Sequence, residues 1–279
     1  MSREVSRDKL RALSCGEGEA LQLREVAEGV YRVPARAANA YLVEAPRGLV
    51  LVDSGLPGSE KGILKAIAKL GKKPSDLKLV LLTHRHLDHI GSAAALKKRT
   101  GAKLASHPFE KPYAAGTLVI QAPSAWSLYG KMVRKLTTLE YWTLKLFRII
   151  KFQTAHVDLA ADEESVLEEV GLDGSVVWTP GHTKGSVTLF LNQSSVAIVG
   201  DLLRARRGRL VEPLLLENIG QTEASVKRVL DLGAQIICPG HGKPLPASRV
   251  RIEKRMAKPV VVVKKKEEED LEELASGLF

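Results

Sequence analysis

Three histidines and one aspartate fall within six residues in Thr83-His84-Arg85-His86-Leu87-Asp88-His89-Ile90-Gly91, directly after the apolar run Leu79-Val80-Leu81-Leu82. Imidazole nitrogens and carboxylate oxygens are the donors that hold zinc or iron while leaving positions open for water. His84 and His86 stand two apart, so in extended backbone their side chains point to one side. Asp88 and His89 come where a helix over Asp88 to Lys98 is expected to begin, and they can face a second point nearby. The spacing suggests two adjacent metals. One histidine alone is usually a satisfied core residue, but a cluster this dense has no such ordinary explanation.

Further donors stand at the ends of other short apolar runs. Asp53 ends Gly48-Leu49-Val50-Leu51-Val52 and precedes Ser54-Gly55. His182 lies in Thr179-Pro180-Gly181-His182-Thr183 after Ser175-Val176-Val177-Trp178, and Asp201 follows Val196-Ala197-Ile198-Val199-Gly200. His241 lies in Cys238-Pro239-Gly240-His241-Gly242 after Gln235-Ile236-Ile237. Turns rich in Gly and Pro let residues from separate strands converge at one rim of packed sheets.

Strands are expected at Val26 to Val33, Ala40 to Glu44, Gly48 to Val52 and Leu79 to Thr83, with a helix over Glu60 to Leu70. A helix over Ser92 to Arg99 and a strand at Lys103 to Ser106 follow. The second half repeats the scheme: Val176 to Thr179, Ser186 to Leu191, Val196 to Gly200, a helix over Thr222 to Leu232, then Gln235 to Cys238. Strands inside and helices outside fit an α/β (α+β) sandwich.

The ordered set Asp53, His84-x-His86-x-Asp88-His89, His182, Asp201 and His241 resembles the signature of the metallo-β-lactamase-fold hydrolase superfamily. The similarity spans roughly Leu23 to Pro246, and five of the seven histidines fall on it. The resemblance implies an αββα sandwich of two mixed sheets with metals at one edge. It implies one divalent ion held by His84, His86 and His182 and a second by Asp88, His89 and His241, with Asp201 bridging. The ions implied are zinc, with iron or manganese as alternatives. Asp53 would orient a ligand histidine through its other ring nitrogen. A hydroxide shared by the two ions would attack a carbonyl or phosphoryl centre, and Asp88 could both ligate and take up a proton. The expected activity is hydrolysis of an ester, thioester, lactone or related bond in a small substrate. Within the same superfamily, persulfide dioxygenases use one iron with the same histidines and aspartate, which keeps an oxidoreductase reading open. A binding module without catalysis would leave the complete ligand set without purpose.

Composition bounds the organisation. A chain of 279 residues with 44% hydrophobic content can bury one large core. The reading is an N-terminal extension over 1–22, a folded domain over 23–250 with a helical insertion at about 109–160, and a C-terminal segment over 251–279. No run of eighteen apolar residues occurs and the charged N-terminus does not read as a signal peptide, so a cytoplasmic location is expected. Cys15 and Cys238 give no disulfide framework, and Cys238, at a strand end, reads as core material.

Within the insertion, Ser124 to Gln153 reads as helical. Leu128, Met132, Leu136, Leu139, Trp142, Leu146 and Ile149 form one apolar stripe, and further apolar residues lie off it. A helix packed on the body, a lid, a homodimer element and a membrane-surface helix all fit that pattern. The formal net charge is +10. Lys264 to Phe279 hold three lysines against six acids, a contribution of −3, which leaves +13 on the rest.

Arg204, Arg206, Arg207 and Arg209 crowd after Asp201. In the related acyl-homoserine lactonases a substrate-contacting tyrosine stands where Arg204 stands here. Arg204 therefore points away from a lactonase and toward a substrate carboxylate or phosphate; a solvated basic loop is the competing reading. Lys184 is a weaker candidate of the same kind. Nucleic acid is not the expected partner. The 39 residues between Asp201 and His241 leave no room for the extra domain of the nuclease branch, and nothing resembles the protruding arm of the tRNA-processing branch. Glyoxalase II fits poorly, because the 38 residues after His241 cannot build its glutathione-binding helices. The tail ending Ala275-Ser276-Gly277-Leu278-Phe279 reads as frayed, or as a peptide that folds on a protein partner.

Overall fold

The computed structural model describes residues 23–33, 35–114, 154–161, 165–213 and 215–252. Its layers follow from period-two alternation along buried strands. In β4 (Gly48–Val52), Val50 and Val52 enter one core while Leu49 and Leu51 enter another. The first sheet comprises β1 (Arg24–Ala27), β2 (Val30–Val33), β3 (Ala40–Ala45), β4, β5 (Leu77–Leu82), β6 (Lys103–Ser106) and β7 (Leu159–Ala160), in chain order. Neighbours from β1 to β4 pair antiparallel and from β4 to β7 parallel. Each parallel step needs a crossover. Helix α1 (Glu60–Lys69) links β4 to β5, and α2 (Leu87–Ile90) with α3 (Ala93–Thr100) links β5 to β6. Two short helices, α4 (Lys111–Ala114) and α5 (Ser165–Glu168), follow.

The second sheet contains β8 (Gly174–Trp178), β9 (Val187–Leu191) and β10 (Val196–Gly200). Beyond a two-stranded hairpin of β11 (Arg204–Arg206) and β12 (Arg209–Val211), helix α6 (Ile219–Asp231) returns the chain to β13 (Ile236–Pro239) and β14 (Leu245–Pro246). The order is β14-β13-β10-β9-β8, with β10 and β13 parallel. The inner faces of the two sheets meet in a central core that includes Val50, Val52, Leu79 and Leu81 from one and Leu189, Ile198 and Cys238 from the other. Outside the first sheet, Leu49, Leu51, Val80 and Leu82 pack with Ile63, Ile67 and Leu96 of the helices. Outside the second, Ala197, Val199 and Ile237 pack with Val226 and Val229 of α6. This is the expected αββα sandwich. Cys238 is core material as read, and burial pushes its thiol pKa up.

Several boundaries differ from expectation. Val26 to Val33 is not one strand: the chain reverses at Glu28-Gly29, where Gly29 has φ +69°, and β1 pairs back on β2. The helix expected over Asp88 to Lys98 is broken, with α2 ending at Ile90 and α3 starting at Ala93. Helix α6 starts three residues before Thr222 because the Asn218 side chain accepts a hydrogen bond from Gln221 N at 3.0 Å and caps it. The arginine-rich stretch after Asp201 is the β11–β12 hairpin rather than a loose loop. The helical part of the insertion, 124–153, the extension over 1–22 and the tail beyond 252 lie outside the described residues. Among the described residues no helix is long and apolar enough to cross a membrane.

The two sheets are tied at one edge by polar contacts as well as by the core. Asn39 N donates to Gly240 O at 2.7 Å, and Asn39 Nδ2 donates to Pro239 O at 2.9 Å and Gly242 O at 2.7 Å. The buried Tyr41 hydroxyl donates to Pro239 O at 2.8 Å. Replacing Asn39 by Ala removes the side-chain bonds to Pro239 O and Gly242 O and should lower unfolding free energy by about 1–2 kcal/mol, read from the urea midpoint.

Candidate metal centre

Asp53, His84, His86, His182, Asp201 and His241 lie in turns that follow strands, and Asp88 and His89 lie on the short helix α2 just beyond one of those turns. β4 and β5 run parallel and deliver Asp53 and His84 side by side; β10 and β13 run parallel and deliver Asp201 and His241. β8 runs the same way as β10, since each pairs antiparallel with β9, and it leads into the turn that carries His182. The donors fall into two groups with ligand atoms within 4.8 Å of one another: His84, His86, His182 and Asp201, and then Asp88, His89 and His241.

Asp53 anchors the first loop. It takes a left-handed φ of 61°, tolerable for aspartate, while its N–H still donates to Leu81 O at 2.9 Å. Its carboxylate accepts from Thr83 N at 2.8 Å, from the Thr83 hydroxyl at 2.8 and 3.0 Å, and from His89 Nδ1 at 2.7 Å. Gly200, with φ +51°, allows Thr83 to sit where it does: a Cβ there would come within 2.5 Å of Thr83 Oγ1.

These contacts fix the histidine tautomers. The single Thr83 hydroxyl proton goes to Asp53, so Thr83 Oγ1 must accept from His84 Nδ1, 3.0 Å away. Leu215 O, an acceptor only, receives the proton of His182 Nδ1 at 2.6 Å. His84 and His182 therefore both aim a bare Nε2 inward, at 3.1 and 2.9 Å from His86 Nδ1. One proton on His86 Nδ1 cannot satisfy both lone pairs, whereas a shared cation can. Burial, reinforced by the neighbouring imidazoles, lowers the pKa of His84 well below the usual range and that of His86 to about 3. Burial lowers that of His182 too, against the pull of Asp201. Three neutral imidazoles are what a divalent ion requires of its ligands.

The second group is rich in carboxylate. His89 is fully buried, with Nδ1 on Asp53 and Nε2 3.4 Å from Asp201 Oδ1 and 3.9 Å from Asp88 Oδ2. Burial opposes its charge, but Asp53, Asp201 and Asp88 outweigh burial and raise its pKa. His241 Nε2 is 3.3 Å from both Asp88 Oδ2 and Asp201 Oδ2. Burial again opposes charge there, and hydrogen bonds to Asp201 and Asp88 carry the pKa up to about 10. Burial works to raise the carboxyls of Asp88 and Asp201, but the facing histidines prevail and hold Asp88 at about 2 and Asp201 well below the usual range. His86 Nε2, His89 Nε2 and Asp201 Oδ1 are buried without a hydrogen-bond partner among the described residues, and a coordinated cation would satisfy the last two. Asp201 also lies 3.6 Å from His182 Nε2 and so touches both groups. Gly240 permits this crowding, since a Cβ there would fall 2.4 Å from Asp201 Oδ1 and 2.6 Å from His89 Cε1.

The donors are unequally covered. His84, His89 and His182 are buried, while the side chains of Asp88 and His241 are 27% and 37% exposed, so the centre opens on that side. Arg204 lies on β11, next to Ala205, whose N–H donates to His241 O at 2.9 Å; Arg204 Nε donates to Glu212 O at 3.2 Å. Lys184 holds its Nζ 4.2 Å above the Phe109 ring, and Trp178 Nε1 donates to its carbonyl. Sequence pattern does not single out Thr83, Leu215 or Asn39. Only the adjacency of Thr83 to His84 offers a signal, because a carbonyl and a distant amide carry none.

The chain matches the family described as the metallo-beta-lactamase superfamily over residues 33–241, and it belongs to that family. It is 26% identical over 251 residues to a probable metallo-hydrolase, YflN, of Bacillus subtilis (strain 168), covering 81% of this chain and 89% of that protein. It is 27% identical over 187 residues to a hydroxyacylglutathione hydrolase of Chelativorans sp. (strain BNC1), covering 65% of this chain and 54% of that one. Among solved structures, a metallo-beta-lactamase family protein from Thermus thermophilus superposes with a TM-score of 0.58 at 23% identity, over 81% of this chain and 78% of that chain. That likeness carries the fold.

Thr83→Val keeps the shape of the side chain but removes the hydroxyl that sets the His84 tautomer. Zinc affinity, measured by competition with a chromophoric chelator, should fall roughly 10- to 100-fold.

Proposed function

We propose that this protein is a hydrolase that uses two divalent metal ions, zinc by preference, to cleave an ester, thioester, lactone or related bond in a small anionic substrate. The observation that carries the reading is the inward aim of two donor groups that share Asp201, with tautomers fixed by Thr83, Leu215 and Asp53. His84, His86 and His182 would hold one ion and Asp88, His89 and His241 the other, with Asp201 common to both. Bound there, such ions would supply an ionised water at neutral pH and polarise a substrate oxygen.

The chain's own residues do the rest. Asp53 holds the His89 proton on Nδ1 and turns Nε2 inward, where it would meet the ion. Asp88, more exposed than Asp201, is the carboxylate that incoming substrate meets, and it would be placed to take up the proton released on attack. Arg204, beside the strand residue that holds His241 in place, would receive the substrate's carboxylate or phosphate. A small-molecule substrate and a cytoplasmic setting complete the proposal.

Elemental analysis of protein purified without added metal tests the reading. Two zinc ions per chain are expected; one iron per chain would replace hydrolysis with oxygen-dependent chemistry, and oxygen uptake would then be assayed. His84→Ala and Asp201→Ala should each lose bound metal and activity together while unfolding stays cooperative. Arg204→Ala should raise KM roughly tenfold, about 1.4 kcal/mol, for anionic substrates and leave neutral analogues nearly unchanged. Equal effects on both would make Arg204 a surface charge.

A further inference from the structure

A buried carboxylate outside the donor set connects the two loops that carry the three-histidine group. Glu110, 1% exposed, accepts from Arg85 N at 3.0 Å through Oε2 and from Arg85 Nη1 at 3.1 Å through Oε1. The same Oε1 accepts from the Thr183 hydroxyl at 3.0 Å and from Gly185 N at 2.8 Å. Arg85 is flanked by His84 and His86, and Thr183 adjoins His182. The link closes on itself. Arg85 Nη2 also pairs with Glu217, and Glu217 N donates to Gly181 O at 2.8 Å, on the other side of His182. The segment that carries Glu217 also supplies the Leu215 carbonyl on His182 Nδ1. The Arg85 guanidinium is held from its face by Tyr113, with its ring centroid 4.5 Å from Cζ. Gly185 fits this junction only as glycine, because a Cβ there would lie 2.6 Å from Glu110 Oε1.

A buried acid–base cluster of this kind is costly to desolvate and adds little stability in itself. Its geometry, however, controls one quantity: the offset between the His84–Arg85–His86 segment and the His182 turn, whose ring nitrogens meet at 2.9 Å. We propose that Glu110 is a positioning residue that, through Arg85 and Thr183, sets the bite of the His84, His86 and His182 group and hence its metal affinity. The inference rests on the reading of that group as a metal site. Glu110 touches no ligand atom; it acts on backbone and side chains beside the ligands.

Glu110→Gln keeps the volume and one acceptor for Thr183 and Gly185 but turns an N–H toward the donors of Arg85. The test is zinc titration of the full chain against a chromophoric chelator in two backgrounds. His241→Ala leaves the three-histidine group intact, and His86→Ala leaves the Asp88, His89 and His241 group. Glu110→Gln should weaken zinc roughly 10- to 100-fold in the His241→Ala background and leave zinc affinity unchanged in the His86→Ala background. Equal losses in both, or none in the first, would overturn the proposal and reduce Glu110 to a structural residue. Absence of zinc binding in the His241→Ala background before Glu110 is changed would instead overturn the metal-site reading itself. Should Glu110→Gln fail to fold, Thr183→Val, which removes one donor to Glu110, should show a smaller loss confined to the same background. Cobalt(II) reports the same geometry: its visible absorption in the His241→Ala protein should shift with Glu110→Gln, and an unchanged spectrum would count against repositioning.

Discussion

Asp53 is placed where the end of one buried strand meets the beginning of the donor-rich loop, and three donors converge on its carboxylate. Thr83 gives it a backbone N–H and a hydroxyl, and His89 gives it Nδ1. The aspartate accepts a left-handed backbone to be there. Two distinct consequences follow from the one residue. By drawing the Thr83 proton it makes Thr83 accept from His84, and by taking the Nδ1 proton of His89 it turns His89 Nε2 toward Asp201. One imidazole in each donor group, His84 and His89, thus has its Nδ1 proton directed from a single buried point.

The two groups are electrostatically unlike. The first is three imidazoles held neutral chiefly by burial, and the second sets two histidines against ionised carboxylates. Asp201 joins them, with oxygen atoms facing His89, His182 and His241. Such a pairing balances the charge of cations better than either half alone, because neutral imidazoles leave the positive charge uncompensated while carboxylates offset it. The two also differ in access: His84 and His182 are buried, and the Asp88 and His241 side admits solvent.

The sandwich serves this arrangement by ending its strands together. Parallel β4 and β5, and likewise parallel β10 and β13, release their turns at a common edge, and the alternation within each strand fills the cores above and below. Glycine is required where loops from the two sheets come closest, as Gly240 shows beside Asp201 and His89. Asn39 and Tyr41 then bind the first sheet to the Pro239–Gly242 turn, so the rigidity of the sheets is passed on to His241.

By itself the sequence determined the identity of the donors and the kind of element that precedes each. Both are local: Asp53 and Asp201 directly follow apolar runs whose β character is written in a few adjacent residues, and His84, His182 and His241 follow theirs within four. It also determined that Cys238 belongs to the core, since it stands at a strand end and a free cysteine is ordinary core material. Other features were beyond local pattern. The reversal at Gly29 and the break after Ile90 lie inside stretches that read as continuous, and the Asn218 cap lies ahead of the apolar spacing that marked α6. Tertiary structure alone decided which nitrogen of each ring faces inward and that Glu110 and Asn39 hold the loops in place. The physical reason is distance along the chain. His86 and His182 stand 96 residues apart and Asn39 and Pro239 stand 200 apart, and a hydrogen bond between such pairs depends on how whole sheets pack, which no spacing within a strand or turn encodes.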